Sequence, residues 1–336
     1  MVLPKTFFQR LKSTFVFYQS RYIFEKITHV QTEAMRKYLS SDIPNIREIE
    51  KTVSLMFVNS HHTLFAIRPN TPAVIPIAGI HIEENDDELS LELKKWMDDS
   101  IHGVIYFNLG AMMLIESFPR DTLLAFYASF AKVAPIRILM KIASEDKLPP
   151  GLPQNILTLS WIPQIPVLKH NNTKVFITHG GLMSLQEAIY HAVPMIGLPF
   201  FIDQLSNIEI CVEKNIGIRL DLKTLTETKL NNALNLILND SKYRKAVLRE
   251  SRLFKDRPMS AIETANFWVE YVIRNGPNCL RSPAVDLHWW QVELLDIYGF
   301  LLFLFISILW LIVFSIKFIV IFIKSTKLDI DNKKRS

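Results

Sequence analysis

The sequence has little of what a disulfide-stapled or metal-held protein requires. Its 336 residues include only two cysteines, Cys211 and Cys279, too few for a disulfide framework. Each reads as a buried apolar residue or a solvent-facing thiol, not half of a bridge. No group of His, Cys, Asp and Glu has the spacing of metal ligands, so no metal and no tightly held cofactor are expected. Excess charge is also absent from the body of the chain. Of the net +5, Lys317, Lys324, Lys327, Lys333, Lys334 and Arg335 against Asp329 and Asp331 place +4 in the last twenty residues. The remainder is about +1, which excludes a nucleic-acid-binding surface. Internal repeats and low-complexity segments are missing. Residues 1–24 do not read as a secretory leader, having no uninterrupted apolar core after their basic residues and no small-residue cleavage site.

What is present is apolar. At 49% hydrophobic and 11% aromatic residues, the chain can bury one large domain or two ordinary ones and is not disordered. From Ile297 to Ile316 twenty residues pass without a charge, and after Lys317 a second apolar run reaches Ile323. Such a segment crosses the ~30 Å hydrocarbon core as a helix, and its faces are apolar all round, unlike an amphipathic core helix. Trp289 and Trp290 suit the headgroup belt. The basic residues beyond the span predict a cytosolic carboxyl terminus and a globular part on the luminal side. Lys333 and Lys334, fourth and third from the end, have the arrangement of a dilysine retrieval signal of the endoplasmic reticulum.

Between the ends, 54–59 and 74–80 read as short buried strands and the acidic stretch 83–100 as a linker entering a helix. Then apolar strands are predicted at 103–108, 136–142, 155–159, 174–178, 195–198 and 217–220. Helices fit 121–132, 182–191, 203–214 and 227–238. This alternation predicts an α/β domain with a parallel sheet covered on both faces, Rossmann-like in kind. Ligands bind such sheets beyond the carboxyl ends of the strands. There the strand 174–178 is followed by His179, Gly180 and Gly181 and then a helix with Ser184 in its first turn and Glu187 three residues on. Glycines admit a ligand to the backbone, and the helix start suits an anion such as a diphosphate. Ser184 and Glu187 share a face.

The run from Trp161 to Gln204 resembles the signature of the UDP-glycosyltransferases. Trp161, Gln164, His179, Gly181, Ser184, Glu187, Pro194, Pro199, Asp203 and Gln204 stand at the family's spacing, a specific signal over forty-four residues. Flanking segments (GVIYFNLG, PGLP, KDRPMSAIETANFWVEYVIR, LRSPAVDLHW) resemble the insect and animal membrane-bound branch. The resemblance implies that Trp161 stacks on uracil and Gln164 bonds uracil or ribose. It also implies that His179 and Ser184, with the backbone of Gly180 and Gly181, hold the diphosphate, that Glu187 accepts from the ribose hydroxyls, and that Asp203 and Gln204 bind the transferred sugar. Asn108 and Ala111 stand where the family commonly has serines, and Ala111 removes a hydroxyl expected near the diphosphate. The family's catalytic base is a histidine near the mature amino terminus. Nothing in 1–80 matches it, since His29, His61 and His62 lie in segments resembling the later part of that domain.

The implied fold is therefore a GT-B-type carboxyl-terminal Rossmann-like domain with a remnant of the amino-terminal domain and a transmembrane helix. Its expected parts are an acceptor-domain remnant over 1–82, a linker over 83–100 and the UDP-sugar domain with carboxyl-terminal helices over 101–275. A juxtamembrane segment (276–296), a span (297–323) and a cytosolic tail (324–336) complete it. The implied activity is transfer of a hexose, glucose before glucuronate or galactose, from a UDP-sugar to a small lipophilic acceptor with inversion and without a metal. The chain is expected to be a form lacking the base, or a silent UDP-sugar-binding partner in homo- or hetero-oligomers with full-length relatives. Asn171 and Asn239 head glycosylation sequons.

Overall fold

The computed structural model describes residues 6–65, 67–83, 87–111 and 113–333. It opens with a helix that sequence patterning did not predict, α1 (Phe7–Tyr38), started by a capping box between Thr6 and Gln9. A short α2 (Ile46–Glu50) follows. The first two expected strands are present in shortened form, β1 (Met56–Val58) and β2 (Val74–Pro76), but they are not buried as expected: Met56, Phe57 and Pro76 are exposed and Ile75 alone of the six is buried. Among the described residues they pair, in parallel, with each other alone. Then α3 (Ile80–Glu83) and α4 (Leu91–Asp98) lead into the α/β domain.

That domain runs β3 (Val104–Asn108), α5 (Arg120–Lys132), β4 (Arg137–Lys141), β5 (Ile156–Leu159), α6 (Gln164–Lys169), β6 (Thr173–Thr178), α7 (Leu182–Tyr190), β7 (Met195–Gly197), α8 (Ile202–Glu213), β8 (Gly217–Arg219) and α9 (Glu227–Asn239). The six strands form one parallel sheet in the order β5-β4-β3-β6-β7-β8. After β3 the chain moves outward one way to β4 and β5, then returns to lay β6 on the other side. The topological switch therefore falls between β3 and β6, where a crevice opens beyond their carboxyl ends.

Strand β3 shows why the sheet sits in the middle. Its five residues are all buried, with Val104 and Tyr106 packing in one apolar cluster and Ile105 and Phe107 in another. Alternation sends successive side chains to opposite faces. One face is covered by Leu185, Ala188 and Ile189 of α7, Ile208 and Cys211 of α8, and Val247 and Phe254 of the later helix α10 (Ser241–Lys255). The other is covered by Leu123, Phe126 and Phe130 of α5 and Leu230, Leu234 and Ile237 of α9. Cys211 is buried and Cys279 is partly exposed, and both are free thiols. Burial pushes the Cys211 thiol well up, so it packs as an apolar residue.

The chain continues through α11 (Ala261–Asn275) and α12 (Trp289–Val292) into α13 (Leu295–Lys333). Within α13, Leu295–Lys324 is long and apolar enough to cross a membrane, and none of its most apolar window is buried against the protein. At 1.5 Å per residue those thirty residues extend about 45 Å. The helix passes through Lys317 without a break. Trp289, at its foot, meets α1: the Tyr18 ring lies 6.3 Å away and the Arg21 guanidinium 5.3 Å over the indole. Of the dilysine pair, Lys333 ends the helix and Lys334 lies outside the described residues.

Candidate nucleotide-sugar site

The turn from β6 into α7 is built so that the backbone itself forms the surface. Gly180 has φ +86°, and a Cβ there would come within 2.6 Å of Ile208, so the position excludes side chains on two grounds. Its N–H donates to Thr178 Oγ1 (3.3 Å) and its carbonyl accepts from buried Asn207 Nδ2 (2.9 Å). Gly181 caps α7 without a side chain, leaving the first N–H groups of the helix open at its positive end. His179 packs between Gly110 and Gly181, where Cβ atoms would stand 3.0 and 2.6 Å from its ring. Burial lowers its pKa, with the Asp203 carboxylate opposing, so the imidazole is neutral at neutral pH. Its Nδ1 is buried without a partner among the described residues.

Beside this turn lies a cleft of about 260 Å³ lined by Asn108, Lys141, Trp161, Gln164, Ser184 and Glu187, among others. Trp161 is 75% exposed, a large apolar face at the edge of the cleft. Lys141, the last residue of β4, holds its Nζ 5.6 Å from the indole and donates to the Gly110 carbonyl at 3.0 Å. Gln164 opens α6 and is fully engaged: its Oε1 accepts from Asn108 Nδ2 (2.8 Å) and the Tyr106 hydroxyl (3.3 Å). Its Nε2 donates to Ser184 Oγ (2.9 Å) and Glu187 Oε2 (2.6 Å). A carboxylate only accepts, which fixes the orientation of the amide. Asn108 turns its own Oδ1 to the Gly110 N–H at 2.9 Å. The residue found in place of a family serine thus ties the first loop to Gln164.

Glu187 is 9% exposed at its side chain, and its second oxygen accepts from His81 Nε2 at 3.1 Å. Asp203 is exposed in the first turn of α8. Buried Gln204 uses its Oε1 to accept from the Phe200 and Phe201 N–H groups at 2.9 and 3.1 Å. It therefore shapes the loop before α8, and neither residue lines the 260 Å³ cleft. A larger cavity of about 920 Å³, with Lys169, His191 and Lys255 among its lining, opens where the chain enters β6 and β7. Asp87 and Ile165 line both cavities, so the two adjoin along α6. Among the described residues no group of three or more His, Cys, Asp or Glu side chains is placed to hold a metal.

A model of the UDP-glucoronosyl and UDP-glucosyl transferase family matches residues 4–329. The chain belongs to the UDP-glycosyltransferase family. Its relatives include UDP-glycosyltransferase UGT5 of Dactylopius coccus, 37% identical over 314 residues. Human UDP-glucuronosyltransferase 1A6 is 33% identical over 299 residues. The matches take in 93% and 88% of this chain but 59% and 55% of those proteins, so this UDP-glycosyltransferase chain spans a little over half their length. The fold is shared with solved GT-B glycosyltransferases. The kitacinnamycin glycotransferase superposes with TM-score 0.56 at 19% identity, over 80% of this chain and 67% of that one. The UDP-glucose: anthocyanidin 3-O-glucosyltransferase, solved with UDP, gives 0.55 at 23% identity over 65% and 53%.

Of the residues that the resemblance singles out, the structure brings Trp161, Gln164, Ser184 and Glu187 to one cleft and sets His179, Gly180 and Gly181 beside it. Sequence reasoning missed three neighbours. Lys141 carried a positional signal, since it ends a strand at the ligand edge just as Asn108 does. Asn207 and His81 carried none, because their contacts with Gly180 and Glu187 depend on long-range packing.

Proposed function

We propose that this UDP-glycosyltransferase chain forms the donor half of a glycosylation site, binding a UDP-hexose whose sugar passes to a small lipophilic hydroxyl compound. The reading rests on the cleft shared by Trp161, Gln164, Ser184 and Glu187 next to the open start of α7. Uracil stacks on the exposed Trp161 indole, the diphosphate takes the free N–H groups of α7 and the His179 ring, and ribose hydroxyls donate to Glu187. The acceptor oxygen attacks the anomeric carbon from the face opposite the diphosphate, the bond to the phosphate oxygen breaks, and the configuration inverts. The helix start and hydrogen bonds receive the charge that builds on the leaving UDP, so the step calls for no metal. The sugar is assigned as glucose on resemblance, with the exposed Asp203 available to its hydroxyls.

The attacking hydroxyl needs a base, and we assign that role to no residue described here. His81 is committed to Glu187, His61 packs on His62 and Phe254, and His179 faces the diphosphate position. We further propose that α13 anchors the chain in the endoplasmic-reticulum membrane with the α/β domain in the lumen. Exposed Asn171 and Asn239 are then open to glycosylation. Titration of the purified full chain in detergent tests the donor reading. UDP should bind saturably, Glu187→Ala should weaken it at least tenfold, and His61→Ala should leave it unchanged. Equal effects of the two substitutions would remove Glu187 from the site.

A further inference from the structure

The geometry points to His81 as a positioning residue of the donor site, one that fixes the Glu187 carboxylate for the ribose and ties nucleotide binding to the segment ahead of the α/β domain. The inference rests on the donor reading above. Glu187 sits on α7 and would otherwise swing about its side-chain torsions. Two donors hold it, one at each oxygen: Gln164 Nε2 at 2.6 Å and His81 Nε2 at 3.1 Å. Because a carboxylate oxygen can only accept, the His81 ring carries its proton on Nε2. Each oxygen keeps a further lone-pair direction, and with the plane of the carboxylate pinned from both ends these directions are set before a ribose diol arrives. Hydrogen-bonding groups held in place by such partners bind without a reorganisation cost.

His81 comes from outside the Rossmann-like unit, and its own position is latched. The preceding Gly79 N–H donates to Gln186 Oε1 (3.2 Å), Gln186 Nε2 donates to Asn59 Oδ1 (2.7 Å), and Arg257 Nη1 donates to the Ala78 carbonyl (3.0 Å). Consecutive residues of α7 therefore perform two tasks: Gln186, fully buried, grips the incoming segment, and Glu187 receives the histidine that this grip delivers. The donor site is complete only with residues 78–82 in place, so nucleotide binding and the seating of this segment favour one another.

The test titrates wild type and variants with UDP and with 2′,3′-dideoxy-UDP, which keeps base and diphosphate but offers no ribose hydroxyls. His81→Ala should weaken UDP about tenfold and leave the dideoxy nucleotide within about twofold. His81→Gln, which restores an N–H donor, should recover most of the loss. His81→Phe, which preserves ring volume should the alanine variant not fold, should behave as the alanine variant does. In a Glu187→Ala background, His81→Ala should add nothing. Equal loss for both nucleotides, failure of glutamine to rescue, or a full effect without Glu187 would overturn the role. Wild type indifferent to both nucleotides would instead sink the donor reading itself.

Discussion

One histidine and one missing hydroxyl make the site's chemistry testable one side chain at a time. Burial keeps His179 below its ordinary pKa. A diphosphate beside it favours the imidazolium, so binding takes up a proton and affinity must rise as pH falls between the bound and free values. UDP-glucose, whose diphosphate does not titrate near neutrality, should therefore bind more tightly at pH 6 than at pH 8, and His179→Asn should flatten that slope. Ala111 lines the cleft where a hydroxyl is expected. Since a hydrogen bond to a charged group contributes about 1.5–3 kcal/mol, Ala111→Ser should tighten UDP about tenfold in the same titration. His61 and His191 belong to stability instead, because desolvation holds both at about 4. Unfolded, they take protons near 6.5. Stability is thus unaffected above that pH, falls as pH drops from 6.5, and levels off below about 4. The melting temperature of a His61→Gln, His191→Gln variant should fall less over that window.

Among the elements, α7 carries most of the site, and its start depends on two glycines for different reasons. Gly180→Ala combines a left-handed φ with a 2.6 Å approach to Ile208, whereas Gly276, at φ +89°, has nothing within 4 Å of its missing Cβ. Both alanine substitutions carry a torsional cost on the order of 1–3 kcal/mol, Gly276 with its ψ of 164° included. Only Gly180→Ala must also move α8, so denaturant unfolding should show it the more destabilised by a further 1 kcal/mol or more, about the cost of overpacking. The same element explains what could be read in advance. Short apolar runs bounded by turn residues mark β3 to β8 within a residue or so, and the glycines after β6 mark the start of α7. Helix α1 escaped because no buried apolar face marks it: Phe7, Phe15, Tyr18, Tyr22 and Phe24 are all exposed, and the residues it buries are Thr28 and Thr32. The pairing of β1 with β2 alone, and the 106-residue separation of His81 from Glu187, are products of packing that no local pattern encodes.

At the scale of the whole molecule, an α/β domain with its ligand edge at the β3–β6 switch is joined to a helix fit to cross a bilayer. The 260 Å³ cleft is not the largest cavity, and we place the nucleotide there and not in the 920 Å³ one. The larger, at the strand entrances, is lined by Lys169, Lys255 and a half-buried Tyr190 whose ring Lys255 covers at 4.1 Å, where α6 and α7 end. The smaller has the exposed Trp161 and lies beside the start of α7. Photolabelling the full chain with 5-azido-UDP-glucose and mapping the modified peptide decides between them. The account predicts UDP-competed labelling on the stretch from Lys141 to Gln164 that carries Trp161. Competed labelling confined to Lys169, Tyr190, His191 or Lys255, with none near Trp161, would contradict it.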